Sequence, residues 1–383
     1  MPARIVIIGA GLHGCSAALY LSSRGYQVTV IDKTYAGRHA SGVNAGGVRR
    51  LGRHPAEIPL SMAAWERWQN MARLVGDDCG FRPVGQIKVA ENDADLAVLA
   101  ERERQMRALG YRHERLIGRD ALRQALPALA QHCPGGLACD GDGYANPYRT
   151  VTAWRRQAER CGARFHEGLE VTSLTPGNGW EVVAGERRFT ADILVNCAGA
   201  WAGKLCEWLG EPVPLRAEAP MLMITERIAP FLVPVVGATS RPLSFKQFEN
   251  GTVLIGGGVR GSVESDRQVA ETRLGGLAEN ADTAASLFPF IERARIVRTW
   301  AGVEAVMPDQ IPVLGRSAIH GTVIHAFGFS AHGFQLGPIT GEIATDLVME
   351  REPTLPIEAL SIERFTKQNP PLPHDSGTGF THA

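Results

Sequence analysis

The chain of 383 residues carries little that would tie it to a disulfide scaffold, a charged partner or a bilayer. Its seven cysteines, at positions 15, 79, 133, 139, 161, 197 and 206, are odd in number, scattered and never spaced Cys-x-x-Cys. That pattern suggests neither a disulfide framework nor the ligand spacing of a zinc or iron–sulfur site. A surplus of charge is also missing. Lys plus Arg and Asp plus Glu stand at 40 each, which gives no reason to expect nucleic acid or an anionic membrane surface as a partner. No apolar stretch with a cleavage site precedes the first strand, and no later segment has the uninterrupted apolar length of a membrane span. The expectation is a soluble, cytoplasmic protein without a metal. An apolar share of 44% over this length allows one large domain or two, and no internal repeat divides the chain.

Glycine, by contrast, is plentiful, and its most telling placement is at the start. Ile5-Val6-Ile7-Ile8 reads as a buried strand, Gly9-Ala10-Gly11-Leu12-His13-Gly14 as a turn into a helix, and Val28-Thr29-Val30-Ile31-Asp32 as a second strand closing on an acid. Gly9 permits the tight turn, Gly11 lets the backbone approach a pyrophosphate, and Gly14 lets the helix pack close to the strand. The helix start offers free N–H groups to phosphates, and Asp32 stands where ribose hydroxyls need an acceptor. This is a dinucleotide cradle, and by itself it fits NAD or FAD.

A loop of small residues, Ala40 to Arg50, follows. A helix is expected from about Leu60 to Leu74, a strand from Gln86 to Ala90, and a charged helix from Asp93 to Leu109. Turn chemistry from Asp140 to Pro147, which includes Tyr144 and Asn146, precedes a helix from Tyr148 to Cys161. Short strands at Ala163 to His166 and Leu169 to Leu174, a hairpin of Trp180 to Ala184 with Arg187 to Thr190, and a buried strand from Ile193 are expected to return to one sheet. Between Arg216 and Arg298 the texture changes to alternating strands: Met221 to Thr225, Leu243 to Phe248, and Thr252 to Gly256, the last two joined through Asn250-Gly251. Glycines then recur through Trp300-Ala301-Gly302, Met307 to Gly315 and Gly328 to Pro338, the last run leading into a helix to about Val348. The fold class expected is α/β. A Rossmann-type domain of residues 1–80, 140–215 and 300–365 is interleaved with an α+β domain of 81–139 and 216–299 on a mostly antiparallel sheet. Residues 366–383 are expected to form a disordered tail.

Four stretches resemble, in order, the motifs of the D-amino-acid oxidase superfamily of FAD-dependent oxidoreductases. They are the cradle with Asp32, Asn44-Ala45-Gly46-Gly47, Asn196-Cys197-Ala198-Gly199-Ala200-Trp201, and Trp300-Ala301-Gly302 through Gly315 with Gly328 to Gly337. The branch is that of glycine and sarcosine oxidases, opine oxidase subunits and D-hydroxyproline dehydrogenases, and the likeness extends to about Phe365. It implies FAD, and a separate argument agrees: a NAD enzyme need not return to its nucleotide with further small-residue loops. The resemblance places cofactor contacts in the cradle at Gly9, Ala10, Gly11, Leu12, His13, Gly14, Asp32 and Lys33. In the first loop it places them at Ser41, Asn44, Ala45, Gly46, Gly47 and Val48. Further along they fall at Val171, Ala198, Gly199, Trp201, Gly302, Gly328, Gly333, Phe334 and Gln335. It also implies oxidation of an amine beside a carboxylate, by hydride transfer from the α-carbon to flavin N5 to give an imine.

Three residues are implied in catalysis by the same likeness. Arg49 is the expected carboxylate anchor, with Arg50 and Arg53 as competitors, because a guanidinium holds a carboxylate through two parallel hydrogen bonds. His332 is expected to line the substrate cavity and set the electrostatics near the ring. Gln335 stands where sarcosine oxidases carry a second carboxylate-binding lysine, so a small substrate held by two cations fits less well than a larger imino acid. Leu254 aligns with the lysine that helps oxygen accept electrons in monomeric sarcosine oxidase, which favours a quinone, a partner subunit or another carrier as acceptor. Trp300 to Val306 contains no cysteine, so FAD is expected to be non-covalent, with His39 as the one other attachment point considered. The leading expectation is an amino or imino acid dehydrogenase acting on D-hydroxyproline-like or N-alkylated amino acids. The alternatives are a peroxide-producing glycine, sarcosine or D-amino acid oxidase, a 2-hydroxy acid dehydrogenase using His332 as base, and a non-catalytic FAD-binding subunit.

Overall fold

In a computed structural model the strand Arg4–Ile8 lies between two parallel neighbours, Gln27–Ile31 and Ile193–Asn196, with Ile5 opposite both Val28 and Ile193. Residues 2–264 and 268–366 are described. An Ile and Val run with no polar face suits a strand covered on both sides, as parallel sheets require. The full sheet has six strands in the order Val313–Arg316, Val323–Phe327, Ile193–Asn196, Arg4–Ile8, Gln27–Ile31, Arg164–His166. Helices Leu12–Ser22 and Gly333–Val348 pack against each other beside it. They approach closely because Gly337 faces Leu12 and Gly341 faces Ser16, where a Cβ on either glycine would collide.

The hairpin expected to rejoin this sheet does not. Gly179–Ala184 and Arg187–Ala191 instead form a separate three-stranded sheet with Val171–Gly177. Its apolar side chains alternate, and Trp180, Val182 and Ala184 pack onto Val6, Ile8 and Leu194 as a covering layer. Such one-sided alternation suits a lid and not a place inside a sheet buried on both faces. The helix expected from Leu60 to Leu74 is also divided, into Ile58–Trp68 and Met71–Val75. Asn70 breaks it, its side chain turning back to donate to the Glu66 carbonyl.

The second sheet has eight strands in the order Ile296–Ala301, Pro220–Thr225, Val253–Arg260, Ser244–Gln247, Val235–Ala238, Gln86–Ala90, Gly135–Cys139, Arg115–Gly118. All neighbours are antiparallel except Val235–Ala238 with Gln86–Ala90. Its core gathers Phe245, Ile255 and Met223 with Leu277 and Leu287 of helix Leu274–Leu287, an element the sequence did not announce. Asn250-Gly251 closes the hairpin between Ser244–Gln247 and Val253–Arg260, where Phe248 N donates to Thr252 O at 2.9 Å. Of the expected tail, Thr366 ends the turn Glu363–Thr366 and the remainder lies outside the described residues. No helix among the described residues is long and apolar enough to cross a membrane.

Candidate active site

One large cavity lies between the two sheets. Its walls come from the carboxyl ends of the parallel strands, at Ile8, Ile31 and Phe327, and from Met221, Ser244 and Gly257 of the antiparallel sheet. In open α/β sheets ligands bind at that edge.

The cradle is built as its glycines demand. Gly9 has a φ of +106°, and a Cβ there would strike the Cys197 carbonyl. Gly14 lies so close under Gly9 that a Cβ would meet the Gly9 oxygen. Asp32 accepts hydrogen bonds from Ala10 N at 2.7 Å and Thr34 N at 2.8 Å, so the acid also holds the turn in place. Ser41 Oγ accepts from Leu12 N at 2.9 Å, fastening the second loop to the helix start. Beside Asp32 the Lys33 ammonium sits 2.9 Å from the Trp201 ring centroid, buried without a hydrogen-bond partner among the described residues, and desolvation pulls its pKa down to about 8. His39 Nε2 is likewise buried and unpartnered, its ring 4.6 Å from that of Trp201, and burial takes its pKa to about 4. Two buried polar groups without acceptors, next to a helix N-terminus, are what an anionic dinucleotide would satisfy. The donor set therefore fits FAD.

Of the expected cofactor contacts, Gly9, Gly11, Leu12, His13, Asp32, Lys33, Ser41, Asn44, Ala45 and Gly47 line this cavity. So do Val171, Ala198, Gly199, Trp201, Gly302, Gly328, Gly333 and Phe334. Five of the expected cofactor contacts, and the expected catalytic His332, are not brought to it. Ala10 and Gly14 form the underside of the turn, Gly46 is packed beneath Ala145, whose N–H it accepts at 2.8 Å, and Val48 is fully buried in the core. Gln335 is buried against helix Ile58–Trp68, where its side-chain amide donates to Ser61 O at 2.7 Å and its backbone carbonyl accepts from Trp68 Nε1. His332 Nδ1 lies 2.9 Å from the buried Glu57 carboxylate, and its pKa is driven well down by burial first and then by Arg53 and Arg49. Both therefore support the wall that Ala331, Gly333 and Phe334 present.

The three arginines separate cleanly. Arg50 is buried on Asp142 at 2.9 Å and stacked 4.0 Å from the Trp65 ring centroid, while Arg53 is buried with its Nε on the Arg49 carbonyl. Only Arg49 lines the cavity, and its guanidinium has no hydrogen-bond acceptor among the described residues. Burial lowers its pKa against the pull of Asp142 and Glu57. Tyr144 and Asn146 serve the scaffold: Tyr144 pairs with Gly47, and Asn146 caps helix Pro147–Arg160 by accepting from Arg149 N.

Two functional-looking groups escaped the sequence reading. Leu254 lies in the core, but the neighbouring strand supplies Lys246, whose Nζ donates to Ala45 O at 2.6 Å. Burial and then Arg49 lower its pKa to about 7. The second is Glu304, which lines the cavity and accepts from Ala331 N at 2.6 Å. The available signals were a lysine set between Phe245 and Gln247 in a hairpin strand, and an acid inside a motif otherwise apolar and glycine-rich.

Residues 4–347 match the family described as DAO, FAD dependent oxidoreductase. The chain is similar to a glycine oxidase of Geobacillus kaustophilus, at 26% identity over 94% of this chain and 96% of that protein. It is similar to the hydrogen cyanide synthase subunit HcnC of Pseudomonas aeruginosa, at 27% identity over 92% of this chain and 94% of that one. Among solved structures it resembles the L-proline dehydrogenase from P. horikoshii with a TM-score of 0.88 and 25% identity, covering 95% of this chain and 98% of that one.

Proposed function

Because the chain belongs to the DAO family of FAD-dependent oxidoreductases, we propose that it oxidises an amino or imino acid at the carbon beside its carboxylate, giving an imine. The observation that carries this reading is Arg49, a half-buried guanidinium without an acceptor among the described residues, opening on the same cavity as the cradle. FAD, when bound, supplies the hydride acceptor. Arg49 holds the substrate carboxylate through paired hydrogen bonds, which fixes the α-carbon in place. Lys246 adds positive charge beside Arg49, and a cationic surrounding lowers the pKa of the substrate amine, keeping it neutral for oxidation. Phe329 and Phe334 line the cavity and exclude water from the reacting pair. His332 is engaged by Glu57 away from the cavity lining, which speaks against the hydroxy-acid reading that needs it as base.

The substrates we favour are D-hydroxyproline-like and N-alkylated amino acids, with electrons leaving to a carrier or partner subunit. Leu254, in place of a lysine, supports that acceptor, as does similarity to a relative named as a subunit. Lys246 favours a second reading, direct reoxidation by oxygen, since a buried cation near the site stabilises anionic reduced oxygen. Anaerobic mixing of the holoenzyme with glycine, sarcosine, D-proline, D-hydroxyproline, opines and 2-hydroxy acids tests the proposal. Bleaching by an amino or imino acid is expected, and bleaching by hydroxy acids alone would refute it. Readmitting oxygen without a carrier then decides the acceptor, because rapid peroxide formation selects the second reading.

A further inference from the structure

The strand Glu304–Val306 pairs antiparallel with Arg216–Glu218, and the register sets Glu304 directly opposite Glu218. Like charges in that position repel. One guanidinium serves both: Arg260 Nε binds Glu218 at 2.5 Å and its charge also acts on Glu304. Glu304 Oε1 accepts from Ala331 N at 2.6 Å, and its Oε2 accepts nothing among the described residues. Glu304 and Arg260 both line the cavity that Arg49 lines. Among the described residues Glu304 and Glu218 thus share Arg260, and burial raises the Glu304 pKa against the opposing Ala331 N–H and Arg260. Arg49 interacts with Asp142 and Glu57 as well as with Lys246 and Arg53, and Glu304 with Arg260 and Glu218. Glu304 and Arg49 thus line the same cavity without sharing a charged neighbour among the described residues.

We propose that Glu304 is a specificity residue, whose free carboxylate oxygen accepts a hydrogen bond from a donor on the substrate distinct from its α-amine and remote from its carboxylate. The substrate class is then an amino or imino acid with a second donor, a hydroxyl or a protonated amine. This rests on Arg49 as the carboxylate anchor. A ligand with a carboxylate alone leaves Oε2 desolvated and unpaired, a cost that a remote donor removes.

The test uses three carboxylates without an α-amine, which the flavin cannot oxidise: cyclopentanecarboxylate and its 3-hydroxy and 3-amino derivatives. Each is titrated against the visible flavin spectrum of the holoenzyme. The 3-hydroxy or the 3-amino compound is expected to bind at least about tenfold more tightly than the parent, as one charge-assisted hydrogen bond provides. Glu304→Ala is expected to abolish that advantage, with the parent binding at least as tightly as in the wild type because no unpaired carboxylate oxygen is left behind. Glu304→Gln keeps an acceptor but not the charge, so loss of the amine's advantage alone identifies an ammonium, and a surviving hydroxyl advantage identifies a hydroxyl. Equal affinities in the wild type, or an advantage that persists in Glu304→Ala, would overturn the proposal. So would FAD loss from Glu304→Gln on ultrafiltration with ligand discrimination intact, which would assign Oε2 to the cofactor. Should Glu304→Ala not fold, Glu304→Met, which keeps the length of the side chain but has no oxygen acceptor, is read by the same criterion. If Arg49→Ala leaves all three affinities unchanged, the anchor reading fails instead, whichever way Glu304 behaves.

Discussion

Arg49 and Arg50 are neighbours in sequence and opposite in fate. Arg50 gives its Nε and backbone N–H to Asp142 and covers Trp65, so it is part of the scaffold, while Arg49 presents its guanidinium to the cavity. Replacing each with alanine should therefore give different kinds of damage. Arg49→Ala is expected to raise KM for the amino acid substrate about a hundredfold, roughly 3 kcal/mol for a lost paired ionic contact, with little change in melting. Arg50→Ala leaves Asp142 buried without its partner and is expected to cost about 3–5 kcal/mol of stability in a denaturant titration. Lys246 adds a pH dependence whose sign follows from its surroundings. Burial, then Arg49, depresses its pKa to about 7, and a bound carboxylate favours the protonated form. Carboxylate affinity is then fully present below that value and declines as pH rises through it. Kd for a non-oxidisable carboxylate, measured from pH 6 to 9, should rise in the wild type, and Lys246→Met should flatten the curve.

The loop Gly328 to Gly333 is an element whose backbone is held in tension. Ser330 and Ala331 have φ of 47° and 67°, the left-handed region that costs a residue with a Cβ about 1–2 kcal/mol. The conformation is kept because Ser330 N donates to Ala305 O, Met307 N donates to Ser330 Oγ, and Ala331 N donates to Glu304. Ala331→Gly removes the clash and makes no new contact, so it is expected to stabilise the protein by about 0.5–1 kcal/mol after the entropy of glycine is counted. Chemical denaturation checks this, and a loss of stability would mean the loop is not strained there. This loop was legible as a glycine-rich return to the cofactor, but the direction of His332 was not. Its imidazole is drawn to Glu57, a residue far away in sequence that nothing local connects to it. The cradle was legible because its chemistry is contained in a single strand–turn–helix–strand unit. Gly135–Cys139, with two glycines and no alternation, lacked the pattern of a strand, and Lys246 and Glu304 acquire meaning only when the two sheets meet.

At the scale of the whole molecule, the cavity is a seam between sheets whose strands alternate along the chain. Segments around Gln86, Val235 and Ser244 face segments around Gly9, Cys197 and Gly328 across it. A cofactor seated there touches both halves, and a ligand that binds only the folded state stabilises it by RT ln(1 + [L]/Kd). Lys33 Nζ and His39 Nε2, costly to bury alone and without a partner among the described residues, would gain acceptors from a dinucleotide bound there. FAD removal is therefore expected to lower the melting temperature of the molecule as a single transition, without leaving one half folded. Adding FAD at about a hundred times its Kd should restore roughly 2.7 kcal/mol. Trp300 to Val306 offers no thiol to the ring, and the segment meets the small-residue loop through Trp300 Nε1 on Val43 O, Gly302 against Val43, and Val303 O, which accepts from Ala40 N. The flavin should then remain in the supernatant after acid precipitation, and colour retained in the pellet would point to a covalent link, with His39 the residue to replace first.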